Sequence, residues 1–329
     1  MTDYVKLANH IDEVYHSGNI PHSEESAFVK IFQVLLTREE AAGALYLDNL
    51  FVTAELLSER MKTSYAEAEK MLNELAKKGI AFRTVVEDVC LYKLMPYFPG
   101  IVESLIAYLD RAEIAEQLQI YMNELLEYRN SALRKSIPVN YSYRVRQIRA
   151  TGKEIQEYLD KTEWYAVCNC FCRTVNKQNG KACGHSIKDM CIQTGSYARY
   201  YIDTGRSRRV DRTEVQAILK EAEQEGMYHE IYPTDDTKEN AFICNCCTCG
   251  CLFMELSGRI ERALEITSYV SVDQSLCDGC GQCVYECPEQ AFVWNGSEKK
   301  IEFIPDDCFN CGLCIFACKN SAISMKTEL

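Results

Sequence analysis

Long apolar runs, an excess of basic residues and nucleotide-binding glycine motifs are all missing from this sequence. No stretch approaches the roughly 18 uninterrupted apolar residues of a membrane-spanning helix, and Met1–Gly18 is too polar and acidic for a signal peptide. The formal net charge of −12 argues against nucleic-acid binding, which depends on lysine and arginine neutralising phosphates. Without a G-x-G-x-x-G or Walker sequence, nucleotide-driven chemistry is not indicated. We therefore expect a cytoplasmic protein with no membrane span.

Cysteine is abundant instead, with 19 in the 329-residue chain. Eight of them form two runs with the same C-x2-C-x2-C-x3-C spacing: Cys277, Cys280, Cys283, Cys287 and then Cys308, Cys311, Cys314, Cys318. This is the arrangement of bacterial ferredoxins, in which the fourth cysteine of each run ligates the other cluster. We therefore predict two [4Fe-4S] clusters. Their ligands would be Cys277, Cys280, Cys283 and Cys318 for the first, and Cys308, Cys311, Cys314 and Cys287 for the second.

The two cysteine runs belong to an internal repeat. The second run follows the first 31 positions later, and the same offset relates Gly281 to Gly312 and Ala291 to Ala322. Lys319 stands where a second proline would be expected and places a cation near one cluster. Zinc knuckles are the alternative, but four thiolates per zinc ion give no reason for this repeated spacing.

Ten further cysteines lie between residues 168 and 251, in two groups. The groups are Cys168, Cys170, Cys172, Cys183, Cys191 and then Cys244, Cys246, Cys247, Cys249, Cys251. On a strand, alternate thiols lie about 7 Å apart, which suits cluster corners or two adjoining sites, whereas a loop would bring them closer. Ten thiolates fit one or two more iron-sulfur clusters, or one cluster and one zinc ion, and structural zinc alone is the alternative. Which cysteines share a centre stays open, and His185 is interpreted as a surface residue or a neighbour of a ligand, with ligation as the alternative.

Residues 24–95 predict three helices and two strands, the order of a winged helix. Thr53 is expected to cap the second helix, and Ser64 with Glu67 to form a capping box for the third, which ends at Gly79. A winged helix suggests DNA binding, but acidic residues outnumber basic ones over residues 1–100. A scaffold or docking role is therefore favoured over DNA contact, and the lone Cys90 is interpreted as a small core residue.

A long amphipathic helix is predicted from Ile101 to Tyr128, packed against the winged-helix-like domain or against a second subunit in a homodimer. The linker after it carries basic residues and no acidic one: Arg129, Arg134, Lys135, Arg144, Arg146, Arg149 and Lys153. Tyr141, Tyr143 and Val145 alternate with the arginines as in a strand. This basic strip is either a solvated face, a clamp for an anionic cofactor or substrate, or a contact for the acidic C-terminal domain.

The last 60 residues resemble two-cluster bacterial ferredoxins on the eight cysteines, Pro288 and the repeat. The whole chain resembles ferredoxin-domain iron-sulfur proteins of anaerobes, on the ferredoxin segment, Cys168-Asn-Cys170-Phe-Cys172-Arg173 and the Ile243-Cys-Asn-Cys-Cys stretch. This resemblance implies anaerobic electron transfer and supplies no substrate.

We expect an α+β fold with four parts: a winged-helix-like helical domain (1–100), a long helix and basic linker (101–152), a cysteine-rich α+β domain (153–265), and a pseudo-two-fold 2[4Fe-4S] ferredoxin domain (266–329). The ferredoxin domain would take low-potential electrons and pass them to the middle domain, which relays them to a redox partner protein or reduces a bound small molecule. The alternatives are a redox-responsive regulator using the winged helix, and an iron-sulfur oxidoreductase with its active site in the middle domain. No catalytic residue is assigned.

Overall fold

The structure, a computed structural model, describes residues 1–15, 22–133, 148–149, 152–234, 237–247, 249–252, 268–287, 290–295, 300–308 and 312–327. Within these ranges no helix combines the length and the apolar character needed to cross a bilayer. The helices are α1 (Asp3–Tyr15), α2 (Ala27–Leu35), α3 (Arg38–Ala44), α4 (Ala54–Met61), α5 (Tyr65–Lys77), α6 (Val102–Ser104), α7 (Ala112–Leu133), α8 (Gly152–Leu159), α9 (Phe171–Gln178), α10 (Gly195–Asp203), α11 (Arg212–Gln224), α12 (Gln282–Glu286) and α13 (Leu313–Ala317).

The strands are β1 (Ala81–Val86), β2 (Val89–Leu94), β3 (Ile148–Arg149), β4 (Tyr165–Cys168), β5 (Cys191–Thr194), β6 (Arg208–Val210), β7 (Tyr228–Pro233), β8 (Ala241–Cys246), β9 (Ser268–Val272), β10 (Phe292–Asn295), β11 (Lys300–Phe303) and β12 (Ile323–Thr327). The mixture of helices and small sheets agrees with the predicted α+β class. The chain divides into two compact units built from separate segments. Unit 1 comprises Met1–Val145, Phe171–Ala182 and Ser196–Arg208, and unit 2 comprises Arg146–Cys170, Cys183–Gly195 and Arg209–Leu329. The four predicted domain boundaries stay a prediction.

Two helices of unit 1, α4 and α5, begin at the caps that the sequence predicts. The hydroxyl of Thr53 accepts from Leu56 N, and Ser64 and Glu67 form the predicted capping box. Helix α3 was missed because its sequence is mostly charged residues and alanine, which leaves no apolar stripe to recognise. Strands β1 and β2 pair antiparallel, so the predicted helix and hairpin elements are present. The winged-helix assignment itself stays a prediction.

The prediction of one continuous helix from Ile101 to Tyr128 is wrong. After α6 the backbone tightens into a 3-10 turn, Leu105–Tyr108, and α7 begins only at Ala112. Leu105 and Leu109 are nevertheless buried, as the apolar pattern predicts. Apolar residues three and four apart fit a 3-10 turn as well as an α-helix, so the spacing predicts burial but not helix continuity.

Segment 196–208 joins unit 1 through specific contacts made by α10 and the turn after it. The ring of Tyr197 stacks on Phe82 with centroids 4.4 Å apart. The Tyr200 hydroxyl donates to Ala76 O at 2.8 Å, and burial raises the pKa of Tyr200 to about 12. These contacts bind a segment from the predicted cysteine-rich domain to the N-terminal helices.

Unit 2 contains a six-stranded sheet in the order β3-β7-β8-β5-β4-β6, and its two faces differ in chemistry. The antiparallel register places four apolar residues side by side across β7, β8, β5 and β4: Ile231, Ile243, Ile192 and Val167. They pack in one core with residues of α8 and α11. The neighbouring residues in each strand form a second row: Glu230, Cys244, Cys191 and Cys168. Because side chains alternate along a strand, this second row lies on the opposite face, here called the thiol face.

Helix α11 supports the apolar face of the sheet. The carboxylate of Asp211 accepts from Glu214 N at 2.9 Å and caps the helix. Val215, Leu219 and Ala222 are buried in the core beneath the sheet. The structure describes three residues of the basic strip: Arg129 in α7, Arg149 in edge strand β3 and Lys153 in α8. The predicted strand with Tyr141, Tyr143 and Val145 lies outside the described residues.

The C-terminal segment of unit 2 consists of two similar halves. Strand β9 pairs antiparallel with β12, and β10 with β11. Helices α12 and α13 follow glycines in the left-handed conformation, Gly281 and Gly312, each with φ 78°. A side chain at either glycine would be strained, which explains why glycine recurs at this offset. One small core holds both halves together.

Candidate iron-sulfur and metal centres

The two halves of the C-terminal segment aim equivalent backbone donors at equivalent sulfurs. Ala291 N donates to Cys287 Sγ at 3.2 Å, and Ala322 N donates to Cys318 Sγ at 3.2 Å. Both donors lie four residues after the fourth cysteine of a run. Backbone N–H groups directed at cysteine sulfurs tune the potential of iron-sulfur clusters.

A tight turn produces each of these contacts. Gln290 and Ser321 adopt left-handed conformations, with φ 55° and φ 52°, although neither is glycine. Gln290 N donates to Cys287 O at 3.3 Å, and Ser321 N donates to Cys318 O at 3.1 Å. The left-handed residue turns the next amide back towards the sulfur. Left-handed backbone at a non-glycine residue costs about 1–2 kcal/mol, and it occurs here in both halves.

Four thiols from the two cysteine runs line one cavity: those of Cys277, Cys280, Cys283 and Cys318. Lys319 lines the same cavity and supplies a cation. Burial, followed by the nearby thiols of Cys277, Cys280 and Cys318, raises the pKa of Cys283 to about 11. Without a cation the crowded thiols favour protonation, whereas bound metal would deprotonate them. The donor set fits a cluster that binds through thiolates.

The other predicted ligand set is described in part. Cys287, Cys308 and Cys314 pack in or against the core of the two halves. Cys311 lies outside the described residues. Every cysteine that the structure describes is free of disulfide bonds.

Residues 276–322 match the family model of the 4Fe-4S dicluster domain. The match supports a ferredoxin-type domain at this end of the chain and an iron-sulfur electron-transfer role. No curated protein and no solved structure gives a significant match. The segment is called the dicluster domain below.

Beyond the dicluster domain, the thiol face of the six-stranded sheet brings together cysteines that are far apart in sequence. Cys191 lies opposite Cys168 on one side and Cys244 on the other. The side-chain amide of Gln193, fully buried on the same face, donates to Cys191 Sγ at 3.2 Å and to Cys168 Sγ at 3.5 Å. The amide stabilises negative charge on these sulfurs because charge strengthens the hydrogen bond.

The thiol face continues towards the end of β8. Cys246 Sγ lies 3.6 Å from Glu230 Oε2 and 3.8 Å from Cys251 Sγ. The Tyr232 hydroxyl donates to the same oxygen of Glu230 at 2.7 Å. Glu230 is fully buried, so the face combines thiols with a carboxyl group.

Crowding raises the thiol pKa values on this face. The pKa of Cys244 is well above its ordinary value, first through its hydrogen bond with Cys191 and also through burial. The pKa of Cys246 rises in the same way, first through Cys244, then Cys251 and burial. Such a set binds soft cations that displace its protons.

The sequence left a strand and a loop open as alternatives for Cys168, Cys170 and Cys172, and in the structure the three residues lie in different elements. Strand β4 ends at Cys168, Cys170 lies in the connection that follows, and Cys172 is on helix α9. Cys170 N donates to Ile187 O at 2.8 Å, which fixes the connection to a loop. Alternate spacing therefore does not make these three thiols one face, because the strand ends between them.

A different quartet combines the two cysteine groups with a histidine. The ligand atoms of Cys183, His185, Cys247 and Cys249 all lie within 4.8 Å of one another. Cys183 Sγ is 3.9 Å from Cys247 Sγ, and Cys249 Sγ is 3.4 Å from His185 Nδ1. Cys247 belongs to the core on the apolar face of the sheet. The quartet is therefore separated from the thiol face, because consecutive residues Cys246 and Cys247 point to opposite sides.

Sequence reasoning missed two polar residues of the thiol face and gave His185 too little weight. Gln193 lies two positions after Cys191 in β5, and Glu230 lies in the middle of β7. The Cys191-x-Gln193 alternation was a signal for the first, because both residues share a face of the strand. Nothing in the sequence around Glu230 distinguishes it from a surface glutamate.

Proposed function

We propose that this protein is an iron-sulfur electron-transfer protein in which two [4Fe-4S] clusters of the dicluster domain exchange electrons with a further cluster on the thiol face. The first cluster would be held by Cys277, Cys280, Cys283 and Cys318, and the second by Cys308, Cys311, Cys314 and Cys287. The observation that carries this proposal is the repeated contact from a backbone amide to the sulfur of Cys287 and to the sulfur of Cys318. These are the fourth cysteines of the two runs, and an amide directed at each sulfur is expected if both are cluster ligands. Lys319 would stabilise the reduced, more negative form of the first cluster.

The further cluster would be held by four of five thiols: Cys168, Cys191, Cys244, Cys246 and Cys251. Their convergence supports this assignment, because buried cysteines without a ligand serve as small core residues and do not need to converge. Cys244 is partly buried and the other four are buried. The Gln193 amide would keep the sulfurs negative and so raise the potential of this cluster above that of a cluster without donors. The direction of transfer, from the dicluster domain towards the thiol face, is part of the proposal and would be tested by the relative potentials of the clusters.

A redox partner protein is expected at the acidic surface of the molecule. The net charge of −12 favours a partner with a basic patch, because complementary charge accelerates association. The rate of reduction by such a donor should fall as salt is added. Cytoplasmic location, an anaerobic setting and a homodimer remain predictions.

A second candidate function is a reductase with its active site on the thiol face. Glu230 favours it, since a buried carboxyl group hydrogen-bonded to Tyr232 can hold a proton beside a site that receives electrons. An absorbing cofactor such as a corrinoid or flavin in the anaerobically purified protein would support this candidate. A regulator acting through the N-terminal helices is less favoured, because acidic side chains outnumber basic ones there.

Iron and acid-labile sulfide per chain test the proposal after anaerobic purification. About eight irons correspond to the dicluster domain alone, and about twelve to one additional cluster. The variant Cys244→Ser should remove about four irons and leave the electron paramagnetic resonance signals of the dicluster domain intact after dithionite reduction. Ile243→Val is the matched control, since this neighbour lies on the apolar face and should keep all the iron.

Two results would contradict the proposal at different points. If the wild-type protein contains about eight irons per chain and Cys244→Ser contains the same number, the thiol face binds no cluster. Iron far below eight, with no paramagnetic signal on reduction, would remove the dicluster clusters.

A further inference from the structure

We propose that one structural zinc ion is bound by four residues of unit 2: Cys183, His185, Cys247 and Cys249. Binding would release the thiol protons to solvent and involve no electron transfer, because Zn²⁺ has no redox chemistry. The proposal does not depend on the electron-transfer function.

The distances within this quartet match a single tetrahedral ion. For Zn–S bonds of about 2.3 Å, two sulfurs of a tetrahedron lie roughly 3.8 Å apart, and a sulfur–nitrogen edge is slightly shorter. The Cys183–Cys247 sulfurs are 3.9 Å apart, and Cys249 Sγ lies 3.4 Å from His185 Nδ1. Two different edges thus have the lengths that one zinc ion requires.

The donor set distinguishes this quartet from the thiols of the sheet. Three cysteines and one histidine are a common donor set of structural zinc sites. All four ligand atoms lie within 4.8 Å of one another, which is close enough to share one ion.

Two chain segments converge to form the quartet. Cys183 and His185 come from a loop, and Cys247 and Cys249 come from the end of β8, so each segment supplies two ligands with one residue between them. Ser186 N donates to Glu225 Oε2 at 2.7 Å, which anchors the loop beside His185 to the end of α11. Zinc would therefore cross-link positions 64 residues apart along the chain.

The quartet also fits a structural role by its surroundings. Cys247 is buried in the apolar core, whereas Cys249 is exposed and Cys183 and His185 are half-buried. No open coordination position remains once four residues bind, which is typical of structural rather than catalytic zinc. The bound zinc ion would fix the end of β8. Cys246, which precedes Cys247 in the chain, faces the opposite side of the sheet.

The test is metal analysis of the full chain, expressed with ample iron and purified without oxygen. The wild-type protein should contain about one zinc per chain, with X-ray absorption showing three sulfurs near 2.3 Å and one nitrogen near 2.0 Å. His185→Ala and Cys249→Ser should each lose that zinc, while iron content and the dicluster signals stay unchanged. His185→Cys should retain zinc, because four thiolates also bind it.

Cys90→Ser is the matched control, since it removes a thiol far from this quartet in sequence and should keep both metals. Three results would overturn the inference: wild-type protein with full iron and no zinc, zinc bound by a ligand set other than three sulfurs and one nitrogen, or iron lost together with zinc in His185→Ala. The X-ray absorption result needs no variant and stands even where a substitution prevents folding. Failure of the electron-transfer proposal would instead appear in the iron count.

Discussion

Removing the backbone N–H of Ala322 tests which cluster Cys318 belongs to. Ala322 N donates to Cys318 Sγ at 3.2 Å, and proline at this position would lack the donor. Ser321, with φ 52°, precedes it, and a residue before proline is restricted in conformation. The perturbation is therefore the double variant Ser321→Gly with Ala322→Pro. Ser321→Gly alone is its control, since glycine keeps the left-handed conformation and the N–H of Ala322.

The expected change is a lower potential for one cluster. A hydrogen bond to a charged acceptor contributes about 1.5–3 kcal/mol. The hydrogen bond is present in both oxidation states, so the potential depends only on how much stronger the bond is in the reduced state. We take this difference as a third of the whole bond energy, about 0.5–1 kcal/mol. For one electron, 59 mV corresponds to a tenfold change, so the potential should fall by about 20–45 mV. The sign is negative because the more negative reduced cluster loses more stabilisation.

The assay is an anaerobic redox titration of the full protein followed by electron paramagnetic resonance. The cluster that shifts should be the one whose signal is altered in Cys277→Ser, because Cys277 and Cys318 line the same cavity. The other cluster should keep its potential. If the shifted cluster is instead the one altered in Cys308→Ser, the exchange of fourth ligands between the two runs is wrong. Equal shifts in both clusters would show a general distortion and refute the local mechanism.

Two other predictions concern the sheet and unit 1. Gly79→Ala should lower the apparent free energy of unfolding by about 2–4 kcal/mol in urea, since φ is +80° and a Cβ would lie 2.3 Å from Ser104 Cβ. Gly226→Ala, at φ +72° in open space, should cost only about 1–2 kcal/mol, and equal losses would contradict the steric argument. Gln193→Leu removes the amide that donates to Cys191 Sγ and should lower the potential of the thiol-face cluster by about 20–45 mV. The same redox titration should show unchanged potentials for the dicluster domain. An unchanged thiol-face potential would show that the amide does not reach a ligand sulfur.

Local features of this fold follow from the sequence because their causes are local. The cap at Thr53 and the capping box at Ser64 depend on residues three positions apart, and both are present. The left-handed glycines Gly281 and Gly312 depend on a turn of a few residues, so the repeat predicts them. The break between Leu105 and Ala112 was missed because periodicity alone does not distinguish helix types.

The composition of the middle centres does not follow from the sequence, because it depends on strand register. Cys191 meets both Cys168 and Cys244 only in the observed pairing of β5 with its two neighbours. A shift of one residue would place Ile192 on the thiol face and Cys191 in the apolar core. Residues 168, 191 and 244 are too far apart along the chain for spacing to fix that register. The half-buried His185 likewise meets Cys249, 64 residues away in the chain, only through the fold, so its local sequence does not predict the contact.

The adjacent cysteines Cys246 and Cys247 explain why the second group is so dense. Consecutive residues at the end of a strand point to opposite sides, so the two thiols cannot share one centre, and in our proposals they serve two. Cys246 faces Glu230 and Cys251, whereas Cys247 faces Cys183 across the apolar side. Because zinc cannot change oxidation state, the proposed zinc ion would hold no electrons, and electrons from the dicluster domain would be held on the side of Cys246. If both proposals hold, a single peptide unit separates a redox centre from a structural one, and a variant at Cys247 should change zinc content without changing any cluster potential.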